Sequence, residues 1–173
     1  MKRIISVLLV IVLFVACVSC SPQQSVVIDD GGNTQSQTGN RSGTVDGPYE
    51  TSGIKFTLDA VTGYVDTSDF TLDIPEDGKE YVIFWLTGVN VSDEDQYINM
   101  FYEASLCDGA EIDPEFVMFN LEGESFWGDC LVGGEHSGYI AYQAPIGWQT
   151  IEFKYKPFVG DEITLTATSA DVA

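Results

Sequence analysis

The sequence has few basic residues and a single histidine. Its 173 residues include 7 lysines and arginines against 27 aspartates and glutamates, a formal net charge of −20. A charge of this sign repels nucleic-acid phosphates and anionic lipid headgroups. It favours solubility, cationic partners or divalent cations. We therefore expect no nucleic-acid partner, and we expect most of the acids to form a solvated surface.

The scarcity of histidine counts against the commonest catalytic sites. His136 would have to serve any Ser-His-Asp triad, but its neighbour Ser137 points to the opposite face of a strand. Residues 134–138 do not have the Gly-x-Ser-x-Gly spacing of a nucleophilic serine. Carboxylate pairs arise by chance among so many acids, so they do not indicate a glycosidase. We expect no catalytic residues and no cofactor, with His136 exposed at a strand edge.

The longest apolar run is too short to cross a membrane comfortably. Residues 4–16 are apolar with one interruption, whereas a spanning helix needs about 20 such residues. With Lys2 and Arg3 before it, the run has the length of a signal-peptide core. Cys17 and Cys20 follow, each preceded by a small residue. A small residue before cysteine at this place is the mark of lipoprotein processing.

Either cysteine could accept the lipid. Lipoprotein signals usually have a large aliphatic residue three positions before the lipidated cysteine. That position is Phe14 if Cys17 is lipidated and Cys17 if Cys20 is lipidated. Phe14 is the better fit, which favours Cys17 slightly. An ordinary secretory signal cut nearby is the alternative. Acyl chains contribute roughly 0.8 kcal/mol per buried methylene, and two or more chains hold a protein stably on a membrane. We expect an extracytoplasmic protein anchored to a bacterial cell membrane by a lipidated cysteine.

Composition divides the chain into three segments. Residues 1–19 are the predicted lipoprotein signal peptide, and residues 21–43 form a predicted flexible linker rich in Ser, Gln, Asn and Gly. Residues 44–173 form the predicted domain. Removing the signal leaves roughly 150 residues, which suits one domain and a tail. It also removes two bases, so the mature chain carries a net charge of about −22.

Alternation of apolar and polar residues predicts strands throughout the domain. Strands are predicted at residues 54–60, 81–91, 97–106, 137–144, 151–155 and 163–168, with a further short apolar segment at 116–119. The near-continuous β-prone run at 81–91 is typical of a central strand covered on both faces. Turn signals separate the strands, and no helical apolar stripe occurs. The pattern predicts an all-β fold, an immunoglobulin-like antiparallel β-sandwich of about seven to nine strands.

Four stretches follow one another in a recognisable order. They are residues 53–61, residues 78–93 with Gly-Lys-x-Tyr, an apolar run and Asn-x-Ser, residues 133–145 with Gly-Glu-x-x-Gly and a closing Pro, and residues 152–157. Their order resembles a group of uncharacterised bacterial lipoproteins with an immunoglobulin-like domain, related in fold to a secreted mycobacterial immunogenic protein. The resemblance covers about residues 45–168. It implies fold and location, but no activity and no catalytic residues.

Two cysteines remain in the predicted domain. Cys107 and Cys130 would close a loop of about 24 residues, and a disulfide there would contribute roughly 3 kcal/mol. Such a bond can persist outside the cell, so we expect the pair to be bonded. A cysteine nucleophile working with His136 would require one of these thiols to be free. Zinc is a poor alternative, because it normally takes four ligands.

Acidic turns offer weak candidates for calcium. Asp93 and Asp95 lie in one turn, and Asp108 and Asp113 in another. Hard cations want several oxygen ligands from flexible loops, but neither turn has EF-hand spacing. We therefore expect solvated loop charges and no metal.

Tryptophans are the candidates for a contact surface. Trp85 lies in the predicted central strand and is expected in the core. Trp127 and Trp148 lie in turn-rich segments, where aromatic residues often contact sugars or proteins. The alternative is that both pack over the ends of the sandwich.

These observations favour a non-enzymatic surface lipoprotein. We expect its immunoglobulin-like domain to bind an unknown protein or envelope component. A calcium- or small-ligand-binding accessory lipoprotein of a transporter or sensor is the first alternative. A surface hydrolase is the second.

Overall fold

The described part of the chain is built almost entirely of strands. It comprises residues 44–66, 73–117 and 121–173 of a computed structural model. Its strands are β1 (Asp46–Thr51), β2 (Ile54–Tyr64), β3 (Lys79–Asn90), β4 (Gln96–Ile98), β5 (Ser105–Cys107), β6 (Ala110–Ile112), β7 (Pro114–Glu115), β8 (Gly128–Cys130), β9 (Glu135–Pro145), β10 (Thr150–Tyr155) and β11 (Ile163–Thr168). Two 3₁₀ turns, Met100–Tyr102 and Ser169–Asp171, are its helical segments. No helix in these ranges is long and apolar enough to cross a membrane.

The strands pair into two facing antiparallel sheets. The larger sheet has the order β1-β2-β3-β9-β7, and the smaller has the order β11-β10-β5-β6. β4 and β8 form a separate two-stranded sheet. The predicted all-β sandwich is thus confirmed. The eleven strands of the described part exceed the predicted number because β4 to β8 have only two or three residues each, too few to show alternation.

Aromatic rings fill the main core between the two sheets. Phe56 of β2 lies 4.8 Å from Tyr155 of β10, measured between ring centroids. Phe84 of β3 meets Tyr142 of β9 edge to face at 5.4 Å. All four side chains are buried, and burying one such apolar group contributes about 1.5–3 kcal/mol. The two sheets are therefore held together mainly by apolar burial.

A second apolar cluster covers the outer face of the larger sheet. Tyr81, Ile83 and Trp85 of β3 point into it and pack with Val117 and Ala141. Trp85 is 7% exposed, as expected for a core residue. The prediction that the strand at 81–91 is covered on both faces is therefore confirmed.

The strand predicted at 97–106 is wrong in its middle. β4 ends at Ile98, and the side chain of Asn99 accepts a hydrogen bond from the backbone nitrogen of Phe101 at 3.0 Å. This bond caps the 3₁₀ turn. The chain uses the turn to pass from the two-stranded sheet to β5 of the smaller sheet. Apolar residues on both sides of the turn imitate one continuous strand.

The predicted disulfide is also wrong. Cys107 lies in β5, paired with Ile151 and Ala110, whereas Cys130 ends β8, and both thiols are free and buried. The Cys130 thiol donates to the carbonyl oxygen of Gly88 at 3.5 Å. Burial raises the pKa of each thiol, so both stay protonated and unreactive at neutral pH. Chain spacing alone does not bring two sulfur atoms into bonding geometry.

A carboxylate sits beside the main core. Oε1 of Glu103 accepts from the backbone nitrogen of Ser105 at 2.9 Å and from the hydroxyl of Tyr142 at 3.3 Å. The Ser105 and Tyr142 hydroxyls are 2.8 Å apart. Desolvation raises the pKa of Glu103 above its usual 4.5, although these hydrogen bonds oppose the rise.

This raised pKa predicts a pH-dependent stability. The proton on Glu103 stabilises the fold below about pH 4.5, and that contribution is lost as the pH rises through the raised folded pKa. Glu103→Gln keeps an acceptor and removes the half-buried charge. We expect it to raise the free energy of unfolding at neutral pH by up to about 1 kcal/mol. Urea titrations from about pH 4 to about pH 8 measure this difference.

Glu111→Gln is the matched control, because it removes the same charge from an exposed position on β6. Because its side chain is exposed, we expect the free energy of unfolding at neutral pH to change by less than about 0.5 kcal/mol. A Glu103→Gln curve that runs parallel to that of the unmodified chain would contradict the assignment.

Candidate functional site

Four loops meet at one end of the sandwich, which we name the loop end. It comprises residues 51–53, 91–95, 131–134 and 156–162. These loops connect β1 to β2, β3 to β4, β8 to β9 and β10 to β11. They stand side by side as a row, because each is hydrogen-bonded to the next.

The tight turn between β1 and β2 joins two of its neighbours. The carbonyl oxygen of Gly53 accepts from the backbone nitrogen of Val91 at 2.8 Å. On the other side, the hydroxyl of Ser52 donates to the carbonyl oxygen of Val159. Gly53 has a φ of +73°, and a β-carbon there would lie 2.6 Å from Cβ of Ser92. Only glycine therefore fits between the two loops.

Asn90, the last residue of β3, holds the next two loops together. It is 1% exposed, and its Nδ2 donates to the carbonyl oxygens of Glu94 at 2.9 Å and Cys130 at 2.8 Å. The Oδ1 of Asn90 accepts two hydrogen bonds from Ser92, one from its backbone nitrogen at 2.9 Å and one from its hydroxyl at 2.7 Å. The backbone nitrogen of Asn90 donates to Gly134 at 3.0 Å. This gives a structural role to the Asn-x-Ser element of the sequence pattern.

The tips of these loops expose apolar side chains. The exposed fractions are 92% for Phe158, 75% for Val159, 62% for Leu131, 52% for Val132 and 45% for Val91. Nothing in the sequence patterning distinguished these residues from core residues. The one sequence feature that could have identified them is that two apolar pairs directly precede the turn residues Gly133 and Gly160.

Acidic residues share these loops with the apolar tips. The four loops contain five acids, Asp93, Glu94, Asp95, Asp161 and Glu162, and a single base, Lys156. The ammonium of Lys156 lies 3.8 Å from a carboxylate oxygen of Glu162. The loop end therefore combines apolar contact area with negative charge.

The two tryptophans predicted as contact residues lie elsewhere. Trp148 is 3% exposed within the main core, so the prediction of a contact surface there is wrong and the packing alternative applies. Trp127 is half-buried and packs beside Phe126 and Phe153. Both residues stand in turn-rich sequence, which does not show that their rings pack in or against the main core.

A shallow cavity beside Trp127 does not suit an organic ligand. Met100, Phe116 and Tyr139 also line it, and its volume is about 40 Å³. That space holds about one water molecule, whereas small-molecule sites measure about 300–1,000 Å³. Nothing in the described residues supports the small-ligand alternative.

Two aspartates of the acidic turns accept hydrogen bonds from backbone nitrogens. Asp108 accepts from the backbone nitrogens of Gln149 at 3.1 Å and Thr150 at 2.8 Å. Asp95 accepts from the backbone nitrogen of Val132 at 2.9 Å. In the described ranges, no three His, Cys, Asp or Glu side chains converge as metal ligands do. Asp93 and Asp113 are exposed residues of separate segments.

His136 is not exposed at a strand edge as expected. It lies in β9 opposite Gly88 of β3, and its ring packs against Phe126. Its Nε2 lies 3.3 Å from the carbonyl oxygen of Ser125. Ser137 instead lies beside Thr87, with their hydroxyls 2.9 Å apart. His136 is half-buried, and its contact with Phe126 indicates a packing role.

Residues 43–164 match the model of a domain of unknown function, DUF4352. The chain belongs to the DUF4352 family. No curated protein matches its sequence. The family match confirms membership in an uncharacterised family, while the mycobacterial relation stays a prediction.

Solved structures share the fold of this DUF4352 domain. The yjhA protein of Bacillus subtilis is similar with a TM-score of 0.55 at 17% identity, over 76% of this chain and 99% of that one. A presumed lipoprotein of Bacillus subtilis, ycdA, has a TM-score of 0.54 at 9% identity, over 73% of this chain. The match spans only 40% of the length of ycdA. At such identities the likeness shows the fold alone.

The hydrogen bonds of Asn90 predict a large effect of its replacement. Asn90→Ala leaves the carbonyl oxygens of Glu94 and Cys130 without this donor inside the protein. We expect the free energy of unfolding to fall by about 2–4 kcal/mol. Chemical denaturation measures the change. Asn99→Ala is the control, since it removes one cap bond and should cost only about 1 kcal/mol. Equal losses in the two variants would refute the role of Asn90.

Proposed function

We propose that this chain is an extracytoplasmic, non-enzymatic lipoprotein that presents its loop end to a partner protein. The observation that carries the proposal is the set of exposed apolar tips at the loop end, which share their loops with five acids. Strand β1 leads from the first described residues to this end.

The register of β1 gives this direction in detail. The backbone nitrogen of Val45 donates to the carbonyl oxygen of Leu58 at 2.7 Å, halfway along β2. β1 then runs to Thr51, which pairs with Ile54 at the loop end. At about 3.3 Å per residue the strand covers about 17 Å. The last residue, Ala173, is bonded to Val61, also away from the loop end.

The anchor itself rests on sequence. Cys17 and Cys20 lie outside the described residues, so the evidence for lipid attachment is the basic start, the short apolar run and the small residues before both cysteines. The fold likeness to a presumed lipoprotein agrees with this proposal. The polar residues 21–43 would join the lipid anchor to the domain.

The loop end is suited to contact rather than catalysis. Its four loops contain no histidine and no cysteine. Their side chains offer both apolar area and charged groups, and protein interfaces use both. Phe158 is 92% exposed, so its apolar side chain stays in contact with water unless a partner covers it.

Lipid attachment predicts one essential cysteine. In cells fed labelled palmitate, Cys17→Ser should abolish incorporation, and Cys20→Ser should leave most of it, because Phe14 favours processing at Cys17. Gel fluorescence of the purified chain measures the label. The reverse result would assign the lipid to Cys20. Label retained in the double variant would refute the anchor.

A partner at the loop end predicts position-specific cross-linking. A photoreactive phenylalanine analogue at Phe158 or Leu131 should give one discrete adduct on intact cells. The same analogue at Phe116 is the control, because that side chain is 80% exposed but lies beside β7. Immunoblots report the adducts. Equal adducts from all three positions, or none from Phe158 and Leu131, would refute the proposed binding surface.

A further inference from the structure

We propose that the partner of the loop end is a basic protein segment that carries apolar side chains between lysines or arginines. This inference rests on the proposed function and adds the chemistry of the partner. It follows from the presence of exposed apolar tips and acidic residues in the same four loops.

The apolar tips set the first requirement. Phe158 and Val159 stand at one end of the row of loops, and Leu131 and Val132 at the other. A partner must therefore offer apolar side chains at more than one point to cover both. The loops that carry these tips are held by hydrogen bonds to Ser52 and Asp95, so their positions are set before binding. Loops ordered in advance lose little entropy when they bind.

Charge sets the second requirement. The five acids and single base of the four loops give this end a net charge of −4, within a chain of −20. Asp93 and Glu94 are exposed in the third loop of the row. Such a surface attracts a basic partner and repels acidic ones, mainly through the rate of association.

A membrane fits this surface poorly. Anionic lipid headgroups are repelled by the same acids. A protein segment that carries both basic and apolar side chains matches the charge and the exposed tips of the loop end.

The test uses the full chain held in phosphatidylcholine nanodiscs. Fluorescence anisotropy would follow three labelled peptides of equal length, alternating lysine with leucine, lysine with serine, and glutamate with leucine. The lysine–leucine peptide should bind at least roughly tenfold more tightly than either of the others. Raising the salt from about 50 mM to about 500 mM should weaken its binding by roughly tenfold.

Matched variants distinguish the loop end from the general charge of the chain. Phe158→Ser should weaken lysine–leucine binding by roughly tenfold, and Phe116→Ser, at another exposed phenylalanine, by less than about twofold. The double variant Asp93→Asn with Glu94→Gln should weaken binding by roughly tenfold. Asp77→Asn with Glu111→Gln removes the same two charges elsewhere and should have less than about a twofold effect.

Equal losses in the loop-end and control variants would overturn the inference, as would tight binding of the glutamate–leucine peptide. Flotation of the nanodiscs with separate phosphatidylcholine vesicles, lost in Phe158→Ser, would make the tips a membrane contact and would also overturn it. Position-specific adducts at Phe158 on cells, together with no peptide preference, would leave the proposed function standing and reject only the partner chemistry. Absence of both would reject the two together.

Discussion

Strand β3 is buried on both faces, and both apolar clusters and the loop end depend on it. Phe84 points into the main core, while Trp85 points into the outer cluster. Because both faces are apolar, a register shift of one residue would exchange them without exposing either, so the apolar pattern does not set the register strongly. Polar contacts supply that constraint. Trp85 donates to Thr62 of β2 at 3.0 Å, and Asn90 binds the loops beyond the end of the strand.

Hydrogen bonds, rather than a covalent link, order the loop end. Asn90 satisfies its side-chain donors and acceptor with groups from two loops, and Gly53 permits a third loop to approach closely. Cys107 and Cys130 are packed as apolar side chains and stay as thiols. The loops are therefore fixed by buried polar groups, whose loss costs more than that of exposed ones.

The strong negative charge opposes self-association through the exposed apolar tips. A side chain as exposed as that of Phe158 favours contact between copies of the chain. A net charge of −20 opposes that contact, because like charges repel at short range. The same charge would select a basic partner. One property of the composition thus favours solubility and the proposed choice of partner.

Composition and periodicity alone determined the fold class, since the alternation along β2, β10 and β11 follows from the geometry of a strand with one buried face. They also determined the double burial of β3, because a long β-prone run leaves no polar face. The tertiary structure decided whatever depends on distant neighbours: that Trp148 closes the core, that Cys107 and Cys130 do not bond, and that the loop tips meet in one row. Sequence reports how polar a residue is and how far along the chain its neighbours lie. Which residues face one another depends on strand pairing and on the crossing of the chain between sheets, and those were settled only when the sheets packed.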